Sequence, residues 1–279
     1  MIYDHRKKAG NPGDVIKHIA LLAALNGVLA QADSNPFRYA DIFAGFPGNA
    51  LIPGKEWETG IGRLNRSVTT MQNPHILRWY HQYVAGKNRA NGLYPGSAAI
   101  AADEINRHGK QPELLLWDMA DEAIEALQEY FGDSAATFRE MAAPEDGRLR
   151  KADFIFIDPP GTASGRHPEF PTKTYLASFF ANIETNLLMW LPLENKGESG
   201  TRMTASDRKY GVQSLVLAET IIKWSPEAGC RFIYQLPAPV VQTLRRTMTD
   251  TVEEIFRPIG GLGEVIHDQF SLDIHNGAC

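Results

Sequence analysis

Asp153-Phe154-Ile155-Phe156-Ile157-Asp158-Pro159-Pro160-Gly161 is a short apolar, aromatic and β-branched run that ends abruptly in a carboxylate and two prolines. Such a run reads as a strand covered on both faces, the pattern of a parallel sheet. Pro160 has no backbone N–H, and Pro159 pushes Asp158 out of helical geometry, so the strand stops there. Open α/β sheets place ligands beyond the carboxyl ends of their strands, where Asp158 stands. A stiff Asp-Pro-Pro shelf offers a carboxylate and bare carbonyls with little freedom to lose on binding. That suits holding and polarising an amino group on a flat ring.

Working outward, Phe37–Phe43 reads as a strand running into the turn-rich Ala44-Gly45-Phe46-Pro47-Gly48. Leu114–Trp117 ends in Asp118, and Leu187–Leu191, Cys230–Gln235 and Glu264–Ile274 complete the expected strands. Helices are expected over 11–30, started by Asn11 or Asp14, over Ala98–Ile105 with Ser97 as cap, over Glu122–Phe131 and over Gln213–Trp224. Tyr94-Pro95-Gly96-Ser97 reads as a turn, and residues 134–150 fit neither template. Strands separated by helices imply an α/β fold with a parallel sheet. From 53 to 91 the composition changes: Trp57, His75, Trp79, Tyr80, His81 and Tyr83 sit among Arg, Gln and Asn at helical spacing. This segment is expected to be an inserted helical subdomain, leaving 1–52 and 92–279 as the main domain. Beyond a polar loop near 195–210 there is no low-complexity tract, and no internal repeat.

A chain of 279 residues, 43% apolar, can bury one large core or a core plus a small appended unit. No apolar run approaches the roughly 18 residues of a membrane-spanning helix, and Met1–Lys8 lacks the apolar core of a signal peptide. Cys230 and Cys279 are too few and too scattered for a disulfide scaffold or a thiolate metal site, and Cys279, as last residue, is no prenylation signal. A reducing cytoplasm fits best. The net charge of −5 argues against broad, non-specific nucleic-acid binding, although a local basic patch would suffice for a defined site. The sequence lacks G-x-x-x-x-G-K-[ST], H-E-x-x-H, zinc-spaced histidines beside cysteine, and G-x-S-x-G. P-loop, zinc and serine-hydrolase chemistries are therefore not expected.

The remaining candidates cluster around the strand ends. Asp41, Ala44 and Gly45 bring a glycine-bearing turn to the first strand, where a backbone can approach a ligand without Cβ interference. Asp118 at the end of the next strand is placed to grip ribose hydroxyls. It lies far beyond the usual spacing of about 20 residues, which the 53–91 insertion explains. Near the N-terminus, Tyr3, His5, Arg6, Lys7, Lys8, Lys17 and His18 gather cations and an aromatic. Arg6 and Lys7 read as a solvated tail, whereas Lys17-His18 lies on a helix with an otherwise apolar face.

Tyr3-x-His5…Ala9-Gly10-Asn11-x-x-Asp14-Val15-x-Lys17-His18, then Asp41…Ala44-Gly45, Tyr94-Pro95-Gly96-Ser97, Asp118 and Asp158-Pro159-Pro160 follow one another in an order that resembles the RlmJ-type adenine-N6 methyltransferases of large-subunit ribosomal RNA. The resemblance spans roughly residues 1–195, and its N-terminal string is the most specific part. It implies a Rossmann-like methyltransferase sheet with a small helical insertion, S-adenosylmethionine as cofactor, and protein-free or partly assembled large-subunit ribosomal RNA as partner, with neither membrane nor metal. It also implies that Lys17, His18 and Ser97 contact the methionine end and Asp118, where the family has Glu, the ribose. Asp41, Ala44 and Gly45 form the cofactor turn, Asp158 and the Pro159 carbonyl hold the acceptor amine, and Tyr3 and His5 close over the site. This sequence departs from the family at Gly161, where an aromatic stacks on the target base, at Pro47 in place of a loop glycine, and at Lys8 in place of histidine. No acidic residue stands at 141–143, leaving Glu140 or Glu145 for the cofactor adenine. With Gly161 in the shelf, a ring from Tyr3, Phe170 or Tyr175 would hold a base. The departures keep two alternatives open: a methyltransferase with a non-nucleic-acid acceptor, or a cofactor- or RNA-binding protein without catalysis.

Overall fold

A computed structural model describes residues 8–52, 56–67, 75–160, 171, 173–193, 215–224, 228–256 and 264–269. Tyr3, His5, Gly161, Phe170 and the 195–210 loop lie outside the described residues. In chain order the first half comprises α1 (Pro12–Leu29), β1 (Phe37–Ile42), β2 (Gly48–Ala50), α2 (Ile61–Ser67), α3 (His75–Asn91), β3 (Leu93–Pro95), α4 (Ser97–Arg107) and β4 (Pro112–Trp117). The second half comprises α5 (Asp121–Phe131), β5 (Ala135–Phe138), β6 (Phe154–Ile157), α6 (Lys173–Asn182), β7 (Asn186–Pro192), β8 (Leu215–Lys223), β9 (Gly229–Pro237), α7 (Ala238–Thr251) and β10 (Glu264–Gln269).

Eight strands form one sheet in the order β10-β8-β9-β7-β6-β1-β4-β5, and β2 pairs with β3 separately. β6 behaves as its composition demands. Phe154 and Phe156 point into the apolar layer shared with α1, α4 and α7, and Ile155 and Ile157 into the layer shared with α6. All four are fully buried, worth about 1.5–3 kcal/mol each relative to exposure. β1 lies between β4 and β6 and is parallel to both. The chain leaves β1 first toward β4 and β5 and later toward β6 and β7, which makes the gap between β1 and β6 the topological switch point. β7 extends the parallel set on β6, and β5 extends it on β4.

Beyond β7 the parallel expectation gives way. β9 runs antiparallel to both β7 and β8, and β10 runs antiparallel to β8. The helix expected over Gln213–Trp224 is therefore the strand β8. Ala218, Thr220 and Ile222 are buried at period two, and Thr220, Ile221 and Ile222 are β-branched. Pairing on both edges fixes such a segment as strand whatever its helical spacing suggests. Two smaller corrections apply. Leu93–Pro95 is strand, leaving only Gly96 as the turn. Gly96, not Ser97, occupies the N-cap of α4, which has no side-chain cap. Ambiguous 134–150 contains β5, and the last expected strand is described only as β10. Ile61, Leu64, Leu77, Tyr80 and Val84 of α2 and α3 join the same apolar cluster as α1. Among the described residues no helix is long and apolar enough to cross a membrane.

Candidate functional site

α1 is buried almost around its whole circumference from Gly13 to Leu25. Asn11 caps it by accepting the Asp14 N–H at 2.9 Å, and Pro12 supplies preset helical geometry at the first position. A charge on such a helix survives only if paired. Lys17 (side chain 5% exposed) reaches Asp14 (3%) at 3.0 Å on its own helix. It also donates to Asp158 Oδ2 at 2.5 Å; the Asp158 side chain is 15% exposed. Burial alone would lower the Lys17 ammonium, but the two carboxylates outweigh it and push its pKa well above the usual lysine range. Asp14 also accepts the Gly10 N–H at 2.9 Å, which ties the turn before α1 to the same ion cluster. The Trp190 ring, at the carboxyl end of β7, lies 5.3 Å from Lys17 Nζ, within cation–π range.

His18 is the next residue but points elsewhere, because successive helical side chains diverge by about 100°. Its Nδ1 lies 2.9 Å from the Tyr94 hydroxyl and 3.3 Å from that of Tyr80, and the two hydroxyls are 2.6 Å apart. This buried trio locks α1 to α3 and β3.

On the other side of the switch point, β1 ends in strained backbone. Phe43 has φ 69° and Gly45 φ 63°, left-handed values that are uncommon for a bulky side chain such as Phe43. A Cβ at Gly45 would meet nothing within 4 Å, so this backbone is open to an approaching group. Ala44 N–H donates to the Trp117 carbonyl at 2.9 Å. Asp118 accepts the Gly45 N–H at 2.9 Å and the Ala120 N–H at 2.8 Å, so its carboxylate ties the β1 turn to the end of β4. Asp41 lies fully buried beneath the turn, accepting the Tyr39 hydroxyl at 3.0 Å. Burial raises its carboxyl to about 7, opposed by the hydroxyls of Ser97 and Tyr39, reinforced by Asp158 and opposed again by Lys17.

The described candidates thus converge from two sides. Lys17 and Asp158 are in direct contact, and Asp41 and Ser97 sit in the same electrostatic cluster, with Ala44, Gly45 and Asp118 one turn away. His18 lies behind them in the tyrosine network. Pro159 is buried at the end of the shelf, and the Asp158 N–H is held by the Ile42 carbonyl at 3.1 Å. Tyr175 donates to the Ala142 carbonyl at 2.5 Å. Sequence reasoning read Asp14 as a helix start, Tyr94 as part of a turn and Tyr80 as part of the inserted segment, and gave none of these, nor Tyr39 or Trp190, a role in the site. For Asp14 the signal was its place one helical turn before Lys17; for the aromatics only proximity in space reveals them. A cavity of about 280 Å³ lined by Asp33, Ser34, Asp153 and Thr185 lies at the opposite, amino end of β6 and β7, away from the end where open sheets hold ligands. Among the described residues no three His, Cys, Asp or Glu side chains are grouped to hold a metal ion.

No family model matches the chain, and no curated protein matches it. Among solved structures, a crystal structure of a Legionella pneumophila str. Philadelphia 1 protein, family-model DUF519, aligns over 94% of this chain and 98% of its own, at 19% identity and TM-score 0.65. The fold is Rossmann-like. A SAM dependent methyltransferase from Aquifex aeolicus aligns at 9% identity over 84% of this chain and 98% of its own, with TM-score 0.34. Phosphoethanolamine N-methyltransferase 1 of Haemonchus contortus, solved with phosphoethanolamine and S-adenosylhomocysteine, aligns at 11% identity over 87% of this chain and 50% of its own, also at TM-score 0.34.

Proposed function

We propose that the protein is an S-adenosylmethionine-dependent methyltransferase that modifies an exocyclic amine, with adenine N6 of ribosomal RNA as the acceptor. The observation that carries this reading is the Asp158-Pro159-Pro160 shelf at the end of β6, beside the switch point, with its carboxylate partly open and held by Lys17. Sheet order supports it further. A dinucleotide-binding sheet continues with a parallel strand after its fifth, whereas here the antiparallel β9 stands at that position.

The residues fit the cofactor. The open backbone at Gly45 admits a close-lying group, Lys17 offers an ammonium to a carboxylate, and Asp118 stands beside the turn for the ribose hydroxyls. Lys17, His18, Asp41, Ala44, Gly45, Ser97 and Asp118 would form and support that site. The bound sulfonium supplies an electrophilic methyl group. The protein's own task is then positioning and electrostatics. Asp158 accepts one N–H of the acceptor amine and the Pro159 carbonyl the other, which aims the nitrogen lone pair. No strong base is needed, because the amine loses its proton after becoming cationic. A nucleobase must leave its stack to reach the shelf. With Gly161 at the shelf, stacking worth roughly 1–3 kcal/mol per base has to come from another ring, and Trp190, whose ring lies 5.3 Å from the ammonium that holds Asp158, is the candidate.

The test pairs calorimetric titration of cofactor with methyl transfer to unmodified ribosomal RNA. Asp158→Ala is expected to retain cofactor affinity within a few-fold and to lose transfer; retained turnover removes the assignment. Gly161 supports a second reading, in which cofactor binds without transfer to any RNA.

A further inference from the structure

The charge of this chain is unevenly divided. Residues 53–91 contain six Lys or Arg against two Asp or Glu, a net +4 in a chain of net −5, so the rest carries −9. A basic segment on an otherwise acidic protein concentrates positive potential at one place. In α3 that charge is also ordered. Leu77, Tyr80 and Val84 are buried, and Tyr80 meets His18 of α1. At 3.6 residues per turn, Arg78, Gln82 and Arg89 fall about 180° from Tyr80, and all three are exposed. Arg66 on the adjoining α2 is exposed as well. Between Gln82 and Arg89 lies Gly86, where an added Cβ would meet nothing within 4 Å. A glycine inside a helix costs about 0.8–1.0 kcal/mol relative to alanine, and packing does not require one here. It leaves smooth backbone between the two arginines. Lys87, paired with Asp103 at 2.6 Å, is seven residues on from Tyr80 and so stands on the Tyr80 side of the helix, outside this face.

We infer that the outer face of α3, centred on Arg78, Gly86 and Arg89 and extended by Arg66, is the surface on which the acceptor RNA docks through its phosphates. This rests on the RNA-acceptor reading above and on residues 53–91 being an inserted unit. Charge complementarity favours a polyanion. Tyr80, which faces His18, places the docking face on the far side of α3 from the helix that carries Lys17.

The experiment measures binding of the full chain to a fluorescently labelled, unmodified large-subunit ribosomal RNA transcript by anisotropy across a salt series, without cofactor. Arg78→Gln/Arg89→Gln is expected to weaken binding at least tenfold and to reduce the salt slope by roughly 1.4–1.8, the loss of two phosphate contacts. Gly86→Glu, which improves helix propensity while adding a carboxylate, should weaken binding in the same direction, and Gly86→Ala should not. Cofactor affinity by calorimetry should be the same in all variants. Unchanged RNA affinity and salt slope in the arginine variant overturn the inference, as does absence of RNA binding by the wild-type chain. Failure of the methyltransferase reading shows separately, as absent cofactor binding or absent transfer while RNA binding persists.

Discussion

Lys17 holds the centre of the site because its buried ammonium is paired with two carboxylates, Asp14 and Asp158, in place of water. Removing one member of a buried ion cluster leaves uncompensated charge, so Lys17→Met is expected to destabilise the fold by about 3–5 kcal/mol, measured by urea unfolding. Asp41 gives a pH signature of its own. Its folded pKa, raised from 3.8 to about 7, means the folded state binds a proton that the unfolded state releases. Its favourable contribution is complete below about pH 4 and fades as pH rises through 7. The shift corresponds to something on the order of 4 kcal/mol. Asp41→Asn should flatten the stability profile between pH 4.5 and 8 and leave the variant the more stable protein at pH 8; an unaltered slope would mean Asp41 ionises freely in the fold. Asp158 and Lys17 were legible because a carboxylate after a buried strand and a lysine on an apolar helix are anomalies in one dimension. Trp190 and the two tyrosines are not anomalous until the chain brings them together, whereas Asp14 stands one helical turn before Lys17 in the sequence itself.

Local composition decided some elements and failed for others. α1 carries Asn11, Pro12 and a long apolar run, and β6 an uninterrupted apolar quartet closed by prolines. Each is specified within a dozen residues. Leu22, fully buried in α1, should cost about 2–5 kcal/mol when changed to Ala, read from the denaturation midpoint. At Gly96 an added Cβ would stand 2.1 Å from the Phe46 carbonyl oxygen. Gly96→Ala should therefore displace the loop after β1 and weaken cofactor binding as well as stability, seen by titration calorimetry beside thermal unfolding. β8 was misread because Val216, Leu217, Thr220 and Ile221 also satisfy a helical stripe. Only its neighbours β9 and β10, both antiparallel, turn that ambiguity into a strand. Ser97 was misread for a related reason: a serine before a helical run suits a cap, but Gly96 fills that place.

Among the described residues the molecule is built on one eight-stranded sheet with apolar layers on both faces, and binding at its carboxyl edge bears on global stability. S-adenosylhomocysteine at 100 times its dissociation constant should stabilise the folded state by about 2.7 kcal/mol, raising the melting temperature by roughly 5 °C or more in differential scanning calorimetry; no shift at saturating concentration would remove the cofactor assignment. The alternation of strand and helix along the chain was sufficient to anticipate an α/β sheet, because burial on both faces of a parallel strand demands continuous apolar runs that can be read in order. The sequence by itself also determined the shelf at Asp158, since proline chemistry acts between adjacent residues. The strand order, the antiparallel β9 between β7 and β8, the ion cluster joining α1 to β6, and the opposition of Tyr80 to the arginine face were decided only by tertiary structure. Those features depend on contacts between residues far apart in the chain, 141 positions in Lys17–Asp158, and no local propensity encodes which distant partner a side chain will meet.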